Sequence, residues 1–171
     1  MCRKISLIGA GVDACAGTLG SADTPRVIQD DMVMLGLSYK NIHDYTDERN
    51  NIKELHNYFT HIANDVQTAL QQNELPIIIG GDHSCAIGTW SGVADCLTKK
   101  NETYGLIWID AHMDAHTPET KLTGNIHGMP VATLLGYGYT ELYLARAQIE
   151  VFDERRRVPE YIRSESEKLN T

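Results

Sequence analysis

Apolar residues follow two rhythms along this chain. Short apolar runs at Leu75–Ile79 and Leu106–Ile109 predict buried strands, and Lys4–Ile8 predicts a first strand before them. Elsewhere the apolar positions recur three and four apart. Ile52, Leu55, Tyr58, Phe59, Ile62, Val66 and Leu70 predict one long amphipathic helix over 51–72. His56 and His61 lie on it and are expected to be solvated or packing histidines. Pro25, just after Asp23-Thr24, predicts a helix through Val27, Ile28, Met32 and Leu35 that stops at Gly36. Asn41–Tyr45 predicts a short strand, and Cys85–Lys99 a further helix. His127–Leu135 predicts a last helix, bounded by Gly136 and Gly138. Ile149–Phe152 is expected as a short strand. Arg155–Arg157 and Glu165–Lys168 are expected in a solvated polar tail. Strand, helix, strand, helix is the order of an α/β parallel sheet, whose sites lie beyond the carboxyl ends of its strands.

Two of the predicted strands end abruptly in polar residues. Gly80-Gly81-Asp82-His83-Ser84 follows one, and Asp110, His112, Asp114 and His116 follow the other. Such residues are costly to bury unpaired. On an extended backbone, residues two apart face the same way, so Asp110, His112 and Asp114 are expected to converge while Ala111 and Met113 point away. Two carboxylates with imidazoles, His83 among them, are a ligand set for Mn²⁺, Fe²⁺ or Zn²⁺. A carboxylate between two ions can bridge them, and ions about 3.5–4 Å apart can share and activate one hydroxide. A closed network of Asp and His without an ion would leave carboxylates close together with no balancing charge. His127 is a candidate proton shuttle, able to protonate a leaving amine. Thr123 and Asn125 alternate with His127 and are candidate substrate contacts at the same mouth.

Composition narrows the function classes. A length of 171 residues suits one domain, and the net charge of −8 gives no electrostatic support for binding nucleic acid or anionic membrane. No signal-type or membrane-spanning apolar run is present, so the expected location is the cytoplasm. Cys2, Cys15, Cys85 and Cys96 form no CxxC pair and are expected to be reduced thiols. Gly9-Ala10-Gly11 does not complete a dinucleotide-binding fingerprint and is expected to open a strand-to-helix loop.

Three blocks together, GGDHS at Gly80–Ser84, DAHMD at Asp110–Asp114 and TGNIHGMP at Thr123–Pro130, closely resemble the signature of the arginase (ureohydrolase) family. That family includes arginase, agmatinase, formiminoglutamase and guanidinobutyrase. The likeness is to the bacterial type and runs from about Ile5 to Gly138. Residues 139–171 form a divergent tail of a single domain spanning 1–171. The resemblance implies a three-layer α/β/α fold with a mainly parallel sheet, two Mn²⁺ ions, and hydrolysis of a guanidinium carbon–nitrogen bond in a small-molecule substrate. For arginase itself this converts L-arginine to L-ornithine and urea. It further implies that His83 and Asp114 hold one ion, His112 holds the other and Asp110 bridges. His127 matches the family's acid/base histidine, and Thr123 and Asn125 match positions that contact the amino acid carboxylate. His116 stands where animal arginases have asparagine, and Lys121 where they have a substrate-contacting threonine; both bear on which substrate is taken.

The resemblance also implies a later strand with two aspartates in DxD alternation, and a glutamate for the guanidinium. Neither is found: Asp153-Glu154 is adjacent rather than alternating. A shortened member lacking its C-terminal strands is therefore expected, with an incomplete second ion site, weak manganese binding and slow turnover or none. Two other readings stand beside it. One is a relative acting on another amidine. The other is a non-catalytic remnant that binds partners through the family's oligomer surface, a trimer or hexamer by analogy.

Overall fold

In a computed structural model, which describes residues 3–47 and 51–142, three segments pair as parallel strands. β1 (Ile5–Gly11) is central, with β2 (Tyr39–Asp44) on one side and β3 (Leu75–Gly80) on the other. Ile8 stands opposite Asn41 of β2 and Ile78 of β3. Parallel neighbours need crossovers, and helices supply them. α1 (Thr24–Val27) and α2 (Gln29–Met34) lead from β1 to β2, and α3 (Ile52–Gln71) leads from β2 to β3. α4 (Cys85–Lys99) follows β3 and packs on α3, while α5 (Pro130–Leu135) packs on α4.

The alternation of side chains along β1 sorts these helices into layers. Ile8, Ala10 and Val12 are fully buried and share a core with Leu55, Phe59, Ile62 and Val66 of α3 and Ile87 of α4. Gly9 faces the other way, against Pro25 of α1 and Ile42 of β2. The result is a three-layer α/β/α arrangement. α3 begins where Asn51 caps it, its side chain accepting from the Glu54 N–H at 3.4 Å. Its buried residues lie on one stripe: Leu55, Tyr58, Phe59, Ile62, Ala63, Val66 and Ala69. His61 stacks on His43 with ring centroids 6.0 Å apart, and His56 Nδ1 lies 2.6 Å from the Glu141 carbonyl. Both are packing or surface histidines, as expected. Cys15, Cys85 and Cys96 are free thiols.

The structure corrects three expectations. The helix expected through Val27 and Leu35 is two pieces, broken at Ile28 (φ −96°, ψ 6°). Val27 and Leu35 are exposed. β3 is half-buried rather than buried, because one of its edges has no partner strand among the described residues. Most important, the segment Leu106–Ile109 is not a strand. It has strand composition and strand alternation: Leu106 and Trp108 pack inward on separate clusters, while Ile107 and Ile109 are 84% and 93% exposed. A strand also requires a neighbouring backbone to accept and donate hydrogen bonds. Among the described residues none lies beside it. The expected strand at Ile149–Phe152, the polar tail, Asp153-Glu154 and Cys2 lie outside the described residues. No helix among the described residues is long and apolar enough to cross a membrane.

α3 and α4 approach closely because α4 turns two glycines toward its partner. A Cβ at Gly88 would stand 2.7 Å from the Phe59 carbonyl oxygen, and one at Gly92 would stand 2.5 Å from that of Ala63. These neighbours are backbone and cannot step aside. Gly92→Ala is therefore expected to destabilise the chain by about 1–3 kcal/mol despite its better helix propensity. Urea unfolding checks this, and a stabilised variant would contradict the packing argument.

Candidate metal centre

The site is assembled at the carboxyl end of β3. There the chain leaves the sheet through Gly80-Gly81-Asp82 and enters α4 at Cys85, so His83 is held just beyond the strand. The Gly81 N–H donates to the Ala10 carbonyl at 2.9 Å and the Asp82 N–H to that of Val12 at 2.7 Å. The loop after β3 is thereby fastened to the end of β1. The His83 ring also meets Trp108 edge-on, with centroids 5.5 Å apart. Trp108 in turn packs with Ala115 and Val131, which gives the misassigned apolar segment a role in orienting His83.

His83 Nδ1 lies 2.6 Å from Asp110 Oδ2 and 2.9 Å from Asp114 Oδ2. One atom from each of these residues falls within 4.8 Å of the others. Ligands about 2.1–2.2 Å from a single ion, at right angles to one another, stand about 3 Å apart, so the spacing suits a divalent cation. A single ring nitrogen cannot donate fully to two carboxylates, so the group is better satisfied by an ion than by one proton. The chemistry of the donors, one imidazole nitrogen and carboxylate oxygens, fits Mn²⁺, Fe²⁺ or Zn²⁺.

The convergence does not come from strand alternation. Residues 110–112 form a bend in which Asp110 Oδ1 accepts the His112 N–H at 2.8 Å. Asp114 then adopts a left-handed backbone, φ 48°, which the short polar side chain of aspartate tolerates better than most. Its carbonyl accepts the Val131 N–H at 2.9 Å, tying it to α5. Asp114 is 6% exposed and the Asp110 side chain 11%, whereas the His112 side chain is 83% exposed. His112 Nδ1 lies 3.4 Å from Asp110 Oδ1, so His112 touches the group only through Asp110.

The cleft over this group has a volume of about 230 Å³. His116, Lys121, His127 and Gly128 complete its walls with Met113 and Ala115. Lys121 lies across Gly128: a Cβ there would stand 2.9 Å from its Nζ. Thr123 and Asn125 do not line the cleft. Thr123 is exposed, and its Oγ1 accepts the Asn125 N–H at 3.4 Å. The Asn125 side-chain amide donates to the Ala16 carbonyl at 3.1 Å. A larger hollow of about 910 Å³ at the end of β2 is open to solvent and lies away from the His83 group.

Local electrostatics separates the titratable groups. The His112 N–H, followed by the His83 and His112 imidazoles, holds the Asp110 carboxyl below its ordinary value of 3.8, against a smaller desolvation effect. Burial pushes Asp82 upward, while hydrogen bonds from Ser84 and Cys15 and the charge of His127 pull it back. Burial, reinforced by Asp82, raises the Cys15 and Cys85 thiols to about 12, so both stay protonated and unreactive. Asp82 was not singled out from the sequence, although it sits inside GGDHS. Its neighbours along the chain gave no sign that it reaches back to the loop after β1.

A family model for arginases matches residues 3–168. The chain belongs to the arginase family. The arginase of Bacillus caldovelox is 44% identical over 102 residues, covering 59% of this chain and 33% of that protein. The arginase of Bacillus subtilis strain 168 is 35% identical over 156 residues, 83% of this chain and 51% of that protein. A crystal structure of arginase from Bacillus subtilis superposes with a TM-score of 0.73 at 27% identity, over 98% of this chain and 66% of that one. This family member thus spans about half or less of the curated relatives just described.

The αL backbone at Asp114 separates its two roles. Asp114→Asn and Asp114→Ala both remove the carboxylate, but only alanine is poorly suited to φ 48°. Asp114→Ala is expected to be less stable than Asp114→Asn by about 1 kcal/mol in urea unfolding without added metal. Equal midpoints would show that Asp114 carries no backbone role.

Proposed function

We propose that the chain is a manganese-dependent hydrolase of guanidinium carbon–nitrogen bonds, with L-arginine as substrate and L-ornithine and urea as products. The observation that carries this reading is the meeting of His83, Asp110 and Asp114 at the floor of a cleft with His127 on its wall. His83, Asp110 and Asp114 would hold one ion, and His112, joined to Asp110, would take part in holding a second. A bound ion supplies hydroxide at neutral pH by lowering the pKa of water.

The remaining roles belong to the chain's own side chains. Hydrolysis breaks a carbon–nitrogen bond and leaves an amine that must gain a proton. The imidazole of His127 is assigned that proton transfer. His116 lines the cleft and is assigned a contact to the substrate. Thr123 and Asn125 stand outside the cleft, in the segment leading to His127, and are assigned no substrate contact.

Calorimetric titration of the purified chain with Mn²⁺ tests the metal assignment. Binding is expected in the wild type and is expected to be lost in Asp110→Ala. Binding that survives Asp110→Ala would contradict it. Urea release from L-arginine is expected to require Mn²⁺. In His127→Asn it is expected to fall by about 10²–10⁴-fold, with Mn²⁺ still bound. Release unchanged by that substitution would contradict the proton-transfer role.

A further inference from the structure

We infer that Asp82 is a positioning residue that fixes where His127 stands relative to His83. The inference rests on the proposed roles of those two histidines. Asp82 is 7% exposed. Its Oδ1 accepts the Ser84 N–H at 2.8 Å, and its Oδ2 accepts the Cys15 N–H at 3.2 Å. The Cys15 carbonyl then accepts the His127 N–H at 3.2 Å. A single carboxylate therefore spans two loops. One is the loop after β3, which carries His83. The other is the loop after β1, to which the His127 backbone is fastened.

Neighbouring contacts hold the same segment at two more points. The Asn125 amide donates to the Ala16 carbonyl at 3.1 Å, and Ile126 is buried in the main core beside Val12 and Cys15. Gly17 makes room for this seat, since a Cβ there would come within 3.0 Å of Asn125 Nδ2. The His127 segment thus rests on the β1 loop as on a shelf, and Asp82 is the bracket under the shelf.

The chemistry explains why the bracket is a carboxylate. Two N–H donors arrive at two different oxygens, and only an ionised carboxylate presents acceptors at both. Asparagine has the same shape but one acceptor oxygen, so one N–H would face an NH₂ group. Asp82→Asn is therefore expected to release one end of the bridge with little change in packing.

Amide hydrogen exchange tests this in the full chain. In the wild type the Cys15 and His127 amides are expected to be protected together. In Asp82→Asn both are expected to exchange about tenfold faster or more, the factor for one charge-assisted hydrogen bond, while Leu7, Ile8 and Gly9 in β1 keep their protection. A second readout uses the ion itself. Bound Mn²⁺ broadens nearby proton signals, and the effect falls steeply with distance. Broadening of the His127 ring protons is expected to change in Asp82→Asn at equal Mn²⁺ occupancy. Protection lost evenly across β1 would make Asp82 a general stability residue and overturn the inference. Unaltered protection and broadening would overturn it too.

If Asp82→Asn does not fold, the wild type and Asp82→Ser decide. A wild-type His127 amide exchanging at the unprotected rate overturns the inference, and so does an Asp82→Ser chain whose Cys15 and His127 amides are as protected as before. Absence of Mn²⁺ binding by the wild type would sink the proposed function alone, because the exchange measurements need no ion.

Discussion

His83 Nδ1 stands between two carboxylates, 2.6 Å from one and 2.9 Å from the other, and much of the surrounding structure serves to keep it there. Two negative charges at that separation repel unless a positive charge sits among them. The fold must therefore press them together from outside. β3 delivers His83, with its loop fastened to the end of β1 by the Gly81 and Asp82 amides. The bend at Asp110 and the left-handed turn at Asp114 deliver the carboxylates, and α5 holds Asp114 by its carbonyl. Trp108 keeps the imidazole from swinging away. Such a group could hold a divalent cation, whose charge would balance the two carboxylates.

The helical layers were legible because burial has a period. The stripe from Leu55 to Val66 named the core face of α3, and the parallel sheet followed from the order of elements. The metal-binding candidates were legible for another reason: Asp and His placed together beyond an apolar run have few inexpensive uses. What composition could not convey was pairing. Leu106–Ile109 has the residues and the in–out alternation of a strand, yet strandhood is a relation between two backbones. The outer edge of β3 and this segment do not meet among the described residues. The break at Ile28 was equally hidden, since the apolar spacing from Ile28 to Leu35 suits an unbroken helix as well as a short one.

Convergence of the site residues was anticipated through the wrong geometry. Alternation on an extended chain would send Asp110, His112 and Asp114 to one point. In the structure a bend brings Asp110 and Asp114 to His83 and leaves the His112 side chain exposed at the cleft, with its Nδ1 3.4 Å from Asp110 Oδ1. Asp82 escaped notice because its partners are backbone amides 67 residues away and two residues away, and backbone amides carry no sequence signature. The blocks GGDHS, DAHMD and TGNIHGMP nevertheless end up around one cleft, the first and third of them fastened to the loop after β1, which none of them contains.

Crystals of the chain grown with Mn²⁺ and measured for anomalous scattering decide whether His83, Asp110 and Asp114 hold a divalent ion. A manganese peak is expected about 2–2.5 Å from His83 Nδ1 and from an oxygen of each carboxylate. A peak elsewhere, with these three side chains still hydrogen-bonded to one another, would contradict the metal assignment.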